Sequence, residues 1–292
     1  MLVVRLALLL KMVFCNHQNQ LEQLIQHQLQ LNLHMKRGKF LLLLNNDATL
    51  LPDALATLMA ESLRRDHRAV LGMPQYDALD GSLVDRGCWL DCFLSPVPRL
   101  SDAARPPTMV IGACMWMHRR IWNDVGGFPE FFETNAEDVY LCCAARGLGH
   151  EVGITRGSGF RHWLGATQGG GRPNERGKLR LNTRRRFLSE RNRMLACWIF
   201  RPPAAALALT LLNWTLLAVE GLMLTIMMRN PSLLGDVYIK SQTSALAALG
   251  KAQGLRGELN ARGPGMGSRA TAGQVVIPAK LRMLLTYGMP TG

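Results

Sequence analysis

The chain is short of acidic residues and of the cysteine and histidine spacings that bind metal. Its 292 residues hold 34 Lys+Arg against 21 Asp+Glu, a formal charge of +13. That imbalance calls for an anionic partner, whether nucleic acid, acidic lipid or a phosphate-bearing substrate. Seven cysteines, an odd number without a CxxC pair, exclude the usual disulfide framework and zinc ribbon and predict reduced, buried thiols. His17, His27 and His34 are scattered among glutamines, with no metal-ligand spacing. Aromatics are scarce where the arginines are dense: only Phe160, Trp163 and Phe187 lie near them. A nucleic-acid binder would interleave stacking platforms with its cations, so no nucleic-acid partner is expected. No small-residue cleavage site follows the apolar stretch Met1 to Phe14, which Arg5 and Lys11 interrupt and which is too short to span a bilayer. A buried strand, a membrane-surface segment and a poorly chosen start codon all remain open for it.

With 48% hydrophobic residues, the chain can bury one good core plus an appendage. The stretch on which the rest is organised is Phe40-Leu-Leu-Leu-Leu-Asn-Asn-Asp47. A short apolar run without alternation, bounded by turn formers, reads as a strand buried on both faces, as in a parallel sheet. Ligands of such sheets gather at the carboxyl ends of the strands, where Asn45, Asn46 and Asp47 stand. An acid there can hold a hard divalent cation; the plainer alternative is an Asx turn before a helix.

Asn16 to Arg37 predicts an amphipathic helix, with Leu21, Leu24, Ile25 and Leu29 on one face and Gly38 as its stop. A second helix is predicted over Leu51 to Arg65, with Pro52 in its first turn and Leu55, Leu58, Met59 and Leu63 as its stripe. Ala69 to Met73 and Met109 to His118 read as strands, with Tyr76 to Arg105 as a loop-rich insert between them. Cys88 and Cys92 lie in that insert as buried or idle thiols. A short helix from Arg119 ends at Gly126-Gly127, and another runs from Glu137-Asp138 through Arg146. Acids in a first helical turn are favoured by the helix dipole whether or not they react. His150 to Thr155 reads as a strand, and His162 follows in a Gly-rich loop. Ala204 to Met228 is apolar and long enough to span a bilayer, with Glu220 and Asn213 its only strongly polar residues. An interfacial helix stays open, because an intramembrane carboxylate is costly. The tail from Gly250 is Gly-rich and basic and is expected to be loosely ordered.

From Lys39 to Arg193 these features resemble the family 2 inverting glycosyltransferases, in particular the membrane-associated rhamnosyl- and mannosyltransferase-like members. The carriers are Leu-Leu-Asn-Asn-Asp47, Gly112-Ala113 with Arg119-Arg120, Val125-Gly-Gly-Phe128, Glu130-x-Phe132, Glu137-Asp138-x-x-Leu141, Arg146-Gly147, His162 and Arg191-Asn192-Arg193. The resemblance implies an α/β nucleotide-diphosphate-sugar transferase fold, a mainly parallel sheet flanked by helices. It implies that Asp47 coordinates Mg²⁺ or Mn²⁺, with His162 as second metal ligand or diphosphate contact. Asp138 would be the base and Glu137 would orient its loop. Asn45, Asn46, Gly112 and Ala113 would line the donor and acceptor pocket, and Arg191 and Arg193 would hold diphosphate or acidic headgroups. The partners implied are a nucleotide-sugar donor, a lipid-linked or glycan acceptor and a membrane surface, with the catalytic domain on the cytoplasmic side.

The departures are specific. Relatives open with a strand and an acid for the base or ribose; Met1 to Arg37 supplies neither, so an N-terminally incomplete fold is expected. Tyr140 stands where many relatives carry a second acid, and Pro129 where they carry Asp. The Gln-x-x-Arg-Trp signature of processive polymerases is absent, which implies single-sugar transfer. A truncated, catalytically inactive relative, persisting as a membrane scaffold or gene fragment, is the competing reading.

Overall fold

The structure is a computed structural model describing residues 6–11, 38–102, 105–163, 182–263, 265–275 and 279–280, with residues 6–11 described by their backbone path. The helix expected over Asn16 to Arg37 lies outside the described residues.

The run Phe40 to Asn45 forms a strand, and its burial on both faces is seen in which neighbours each side meets. Strand β1 (Leu6–Lys11) runs parallel beside it, and β2 (Phe40–Asn45) is the organising strand itself. Phe40, Leu42 and Leu44 pack with Ala54, Leu58 and Trp116 on one face. Leu41 and Leu43 pack with Val139, Tyr140 and Cys142 on the other. Of the alternatives open for the first apolar stretch, the strand is the one seen at Leu6–Lys11, beside β2.

After β2 the chain makes β3 (Ala48–Leu50), α1 (Ala54–Arg64) and β4 (Ala69–Gly72). The stripe of α1 is displaced from the expected one. Ala54, Leu58 and Ser62 face inward, while Leu55 and Leu63 are 41% and 65% exposed. Small residues at both ends let this helix lie close to the sheet, and hydrophobicity alone does not report that preference. Pro52 precedes the helix, with Asp53 at its N-cap.

The stretch read as a loop-rich insert carries four short strands, β5 (Gln75–Asp77), β6 (Leu83–Asp85), β7 (Cys88–Leu90) and β8 (Pro96–Pro98). Three-residue strands are too short to leave a periodic signal. Strand β9 is Cys114–His118, five residues shorter at its start than expected, because the chain turns at Gly112. Then follow α2 (Arg119–Val125), α3 (Glu137–Gly147), β10 (Glu151–Ile154) and β11 (Phe160–His162). His162 therefore ends a strand and not a Gly-rich loop.

The main sheet has the order β1-β2-β9-β4-β10. β1 pairs parallel with β2, and β10 parallel with β4, but β9 is antiparallel to both its neighbours. The sheet is mixed, which corrects the expectation of a mainly parallel one. A strand buried on both faces reads the same in either direction, so the apolar runs carried no information on polarity. A second sheet, β3-β11-β5-β6, folds across the end of β2.

The remainder is helical: α4 (Thr183–Phe200), α5 (Pro203–Met228), a π-helical turn Leu234–Ile239, α6 (Lys240–Ala247), α7 (Leu249–Arg262) and α8 (Met266–Thr271). Of the tail from Gly250, expected to be loosely ordered, the described residues form helices over Leu249–Arg262 and Met266–Thr271, and its end lies outside the described residues. Ala252, Leu259, Met266 and Ala270 are buried in the same core as β2 and α3. Gly267 explains how: a Cβ there would come within 2.8 Å of the Phe200 carbonyl oxygen. Close packing outweighs the poor helix propensity of the glycines. Cys88, Cys92, Cys114, Cys142, Cys143 and Cys197 are free thiols. All but the half-buried Cys92 are buried, and burial pushes the Cys114 thiol up to about 12.

Candidate active site

Asp47 and Asp138 are linked through the end of β2 and the turn before β9. Asp47 follows β2, and the second sheet brings β11 to it: His162 is in antiparallel register with Ala48. The Nε2 of His162 lies 3.0 Å from Asp47 Oδ1, and the Trp163 N–H donates to the Asp47 carbonyl at 3.0 Å. On the other side of the ring, the Gln75 amide lies 3.1 Å from Nδ1. With Gln75 donating to Nδ1, the imidazole carries its proton on Nε2 and gives it to Asp47. Asn46 is exposed, and the half-buried Asn45 has its Oδ1 buried without a hydrogen-bond partner.

The connection to Asp138 runs through Gly112 and Ala113. The Asn45 N–H donates to the Ala113 carbonyl at 3.0 Å. Next along the chain, the Gly112 N–H donates to Asp138 Oδ2 at 3.0 Å. A Cβ on Gly112 would sit 3.3 Å from the Asp138 Cβ, so this glycine lets the two segments approach. Asp138 Oδ1 accepts the Val139 N–H at 2.8 Å. The carboxylate is half-buried at the N-terminus of α3, where the helix dipole favours negative charge. A carboxylate placed at a helix start can take a proton from a hydroxyl brought against it. Glu137, beside it, is buried, and Arg185 is near enough to feel both charges.

The segment leading into Asp138 is strained. Glu133, Asn135 and Ala136 have φ of 60°, 66° and 67°, a left-handed conformation that such residues adopt at some expense. Helix α4 holds it there. The Asn192 amide donates to the carbonyls of Phe132 (2.6 Å), Thr134 (2.9 Å) and Asn135 (2.8 Å). Arg191 Nη1 donates to the Phe131 carbonyl at 2.7 Å and to the Asn192 side chain at 2.9 Å.

Arg191 and Arg193, which the resemblance gives to diphosphate or acidic headgroups, are bonded to protein groups in the structure. Arg191 spends its donors on the Phe131 segment and on Ser244. Arg193 pairs with Glu190 at 2.5 Å and also binds Ser95. Tyr140, in the place of a second acid, is buried and donates to the Val125 carbonyl at 3.2 Å. Asn192 and Gln75 were not picked out as site residues. Asn192 lay inside a quoted motif between two arginines that drew the attention, and Gln75 has no sequence signal. Among the described residues no group of three or more His, Cys, Asp or Glu side chains gathers to hold a metal, and Cys88 with Cys92 forms none.

No protein-family model matches the chain, and no curated protein matches it. Solved structures do; among them is GalNAc-T7 with UDP, GalNAc and Mn²⁺, 13% identical with a TM-score of 0.37. The match covers 51% of this chain and 35% of that one, so the chain spans about a third of the length of that structure. A likeness at this identity and score carries no argument about chemistry.

Proposed function

We propose that the chain transfers a single sugar, with inversion, from a nucleotide-diphosphate-sugar donor to a lipid-linked or polysaccharide acceptor. The observation that supports this reading is the junction at the end of β2. There an Asp–His pair and a backbone-anchored carboxylate stand one short hydrogen-bonded link apart. The acceptor hydroxyl attacks the anomeric carbon from the face opposite the diphosphate. Asp138 takes its proton as the new C–O bond forms, and the bond to the diphosphate oxygen breaks, releasing the nucleoside diphosphate. Anchoring by Gly112 and Val139 fixes the direction from which Asp138 meets that proton.

The residues fit a divalent cation of the Mg²⁺ or Mn²⁺ class as a partial ligand set. Asp47 and His162 would hold it, and the unpartnered Asn45 Oδ1 is a further oxygen at the same strand end. Such cations are commonly bound through one or two protein groups and completed by substrate phosphates and water. Bound there, the ion would neutralise the leaving diphosphate. To ligate through Nε2, neutral His162 would carry its proton on Nδ1, where the Gln75 side-chain carbonyl oxygen could accept it. We place the protein at a membrane with its catalytic domain on the cytoplasmic side. The supports are the free thiols, the apolar helix α5 and the compartment in which nucleotide-sugars are made.

Calorimetric titration with UDP, GDP and dTDP, each with and without Mn²⁺, tests the reading. Metal-dependent binding of one nucleotide is expected. Failure of a folded protein to bind any of them would favour the catalytically inactive relative.

A further inference from the structure

Helix α5 is long and apolar enough to cross a membrane by length and composition, yet its two faces are unlike. Ala206, Thr210, Leu217, Gly221 and Leu224 are buried against the protein. The opposite face presents Leu207, Leu211, Leu216, Val219, Ile226 and Met227, of which Val219 and Ile226 are 62% and 68% exposed. Its one hydroxyl, Thr215, donates to the Leu211 carbonyl at 3.1 Å and so needs no outside partner. A face without an unsatisfied polar group, about 39 Å long by helix geometry, suits hydrocarbon as its solvent.

The inner face determines how that hydrocarbon can be met. Glu220 points inward, pairing with Arg186 and accepting from Tyr238 Oη (3.1 Å) and Lys280 Nζ (3.1 Å). Helix α4 lies antiparallel along this face: Trp198 Nε1 donates to Thr210 Oγ1 at 3.1 Å, and twelve residues back Arg186 reaches Glu220. Were α5 to cross a bilayer, α4 would cross with it. Arg184, two residues from Arg186, makes a 3.6 Å ion pair with Glu133, their side chains 46% and 41% exposed to solvent. A water-exposed pair at that level is incompatible with hydrocarbon depth. Exposed Arg229 lies just beyond the end of α5, exposed Lys240 stands over the Phe187 ring of α4, and the whole chain carries +13.

We propose that α5 does not span: its outer face lies in the plane of an anionic bilayer, sunk to the acyl boundary, with the catalytic core wholly on one side. This goes beyond the sugar-transfer reading and does not need it.

The full chain is floated with vesicles of phosphatidylcholine alone and with phosphatidylglycerol added. Binding is expected, stronger with the anionic lipid. Leu216→Asp and Val219→Asp should each lower partitioning on the order of tenfold or more, with unchanged circular dichroism and melting, since both side chains are exposed. Depth is read separately, by quenching of bimane attached at Leu211→Cys, Val219→Cys and Met227→Cys with lipids brominated at defined acyl positions. Equal, shallow depth at the three sites supports the proposal. A deep label at 219 between shallow ones at 211 and 227 would show a span and overturn it. Absence of vesicle binding, with a concentration-dependent dimer abolished by the same aspartates, would overturn it in favour of a second copy on this face. Neither readout involves turnover, so a failed nucleotide titration leaves this result standing, and the reverse.

Discussion

The molecule handles buried acid in two opposite ways. At the sheet edge, Asp47 lies against the His162 imidazole and Asp138 accepts two backbone N–H donors with the Arg185 charge near it, and both stay half-buried. In the helical layer, Glu190 is almost fully buried among Arg193 (2.5 Å), Lys280 (2.9 Å) and Arg186 (3.2 Å). Burial alone would push Glu190 up, but the three cations pull it far below the ordinary carboxylate range. An acid saturated by cations can only hold helices together. An acid at a strand or helix end with an open side can still meet a ligand.

The sharpest division between the two regions should come at the sheet edge itself. Asp138→Asn is expected to lower turnover about 10²- to 10⁴-fold while leaving nucleotide affinity nearly intact. Asp47→Ala should instead weaken nucleotide binding in Mn²⁺ about tenfold or more, with little effect once the metal is chelated. Equal loss of binding and turnover in Asp138→Asn would remove that residue from the role of base.

In the helical layer the loss should be one of stability. Glu190→Gln removes the acid that three cations share, leaving only Arg186 and Lys280 with Glu220, and should destabilise the protein by about 3 kcal/mol in urea unfolding at neutral pH. A depressed folded-state pKa stabilises above the unfolded value and is lost as pH falls. The gap between variant and wild type should therefore narrow in acid. A pH-independent gap would mean that packing, not charge, is at stake.

Asn192 joins the two regions, since it belongs to the helix of Glu190 and fastens the strained segment before Asp138. Asn192→Ala should lower kcat about tenfold by loosening the base, with donor KM nearly constant. A matching rise in KM would point to general unfolding of the segment.

The smallest effect belongs to Asp85, a buried acid with neither arrangement. Its Oδ1 accepts the Gly87 N–H at 2.8 Å, Oδ2 has no partner, and burial raises it to about 6. A raised carboxylate pKa stabilises the fold at low pH and ceases to do so as pH climbs through 6. Asp85→Asn is expected to add about 1 kcal/mol to stability at pH 8 and little at pH 4.5, measured by thermal melts at both values.

Much of the sheet was legible because its strands and helices announce themselves locally. Phe40 to Asn45 has no polar side until Asn45, α3 begins at its two acids, and α2 stops at Gly126, whose φ is 86°. The direction of β9 was not legible, because Met115 to Met117 is buried on both sides and would look the same inverted. The protein partners of Arg191 and Arg193 were not legible for a similar reason. A charge in a motif shows that it needs a partner, and its neighbours in space decide whether that partner is a phosphate or Glu190.

By itself the sequence determined the strand that ends in Asp47, the helix that starts at Glu137, and an apolar helix with one carboxylate. These depend on composition and spacing within a few residues, which act before the chain is folded. Only the tertiary structure decided that His162 faces Asp47, that Gly112 anchors Asp138, and that Glu220 turns inward and leaves the other side of its helix bare. Each of those contacts joins residues far apart in the chain, where the sequence holds no record of distance.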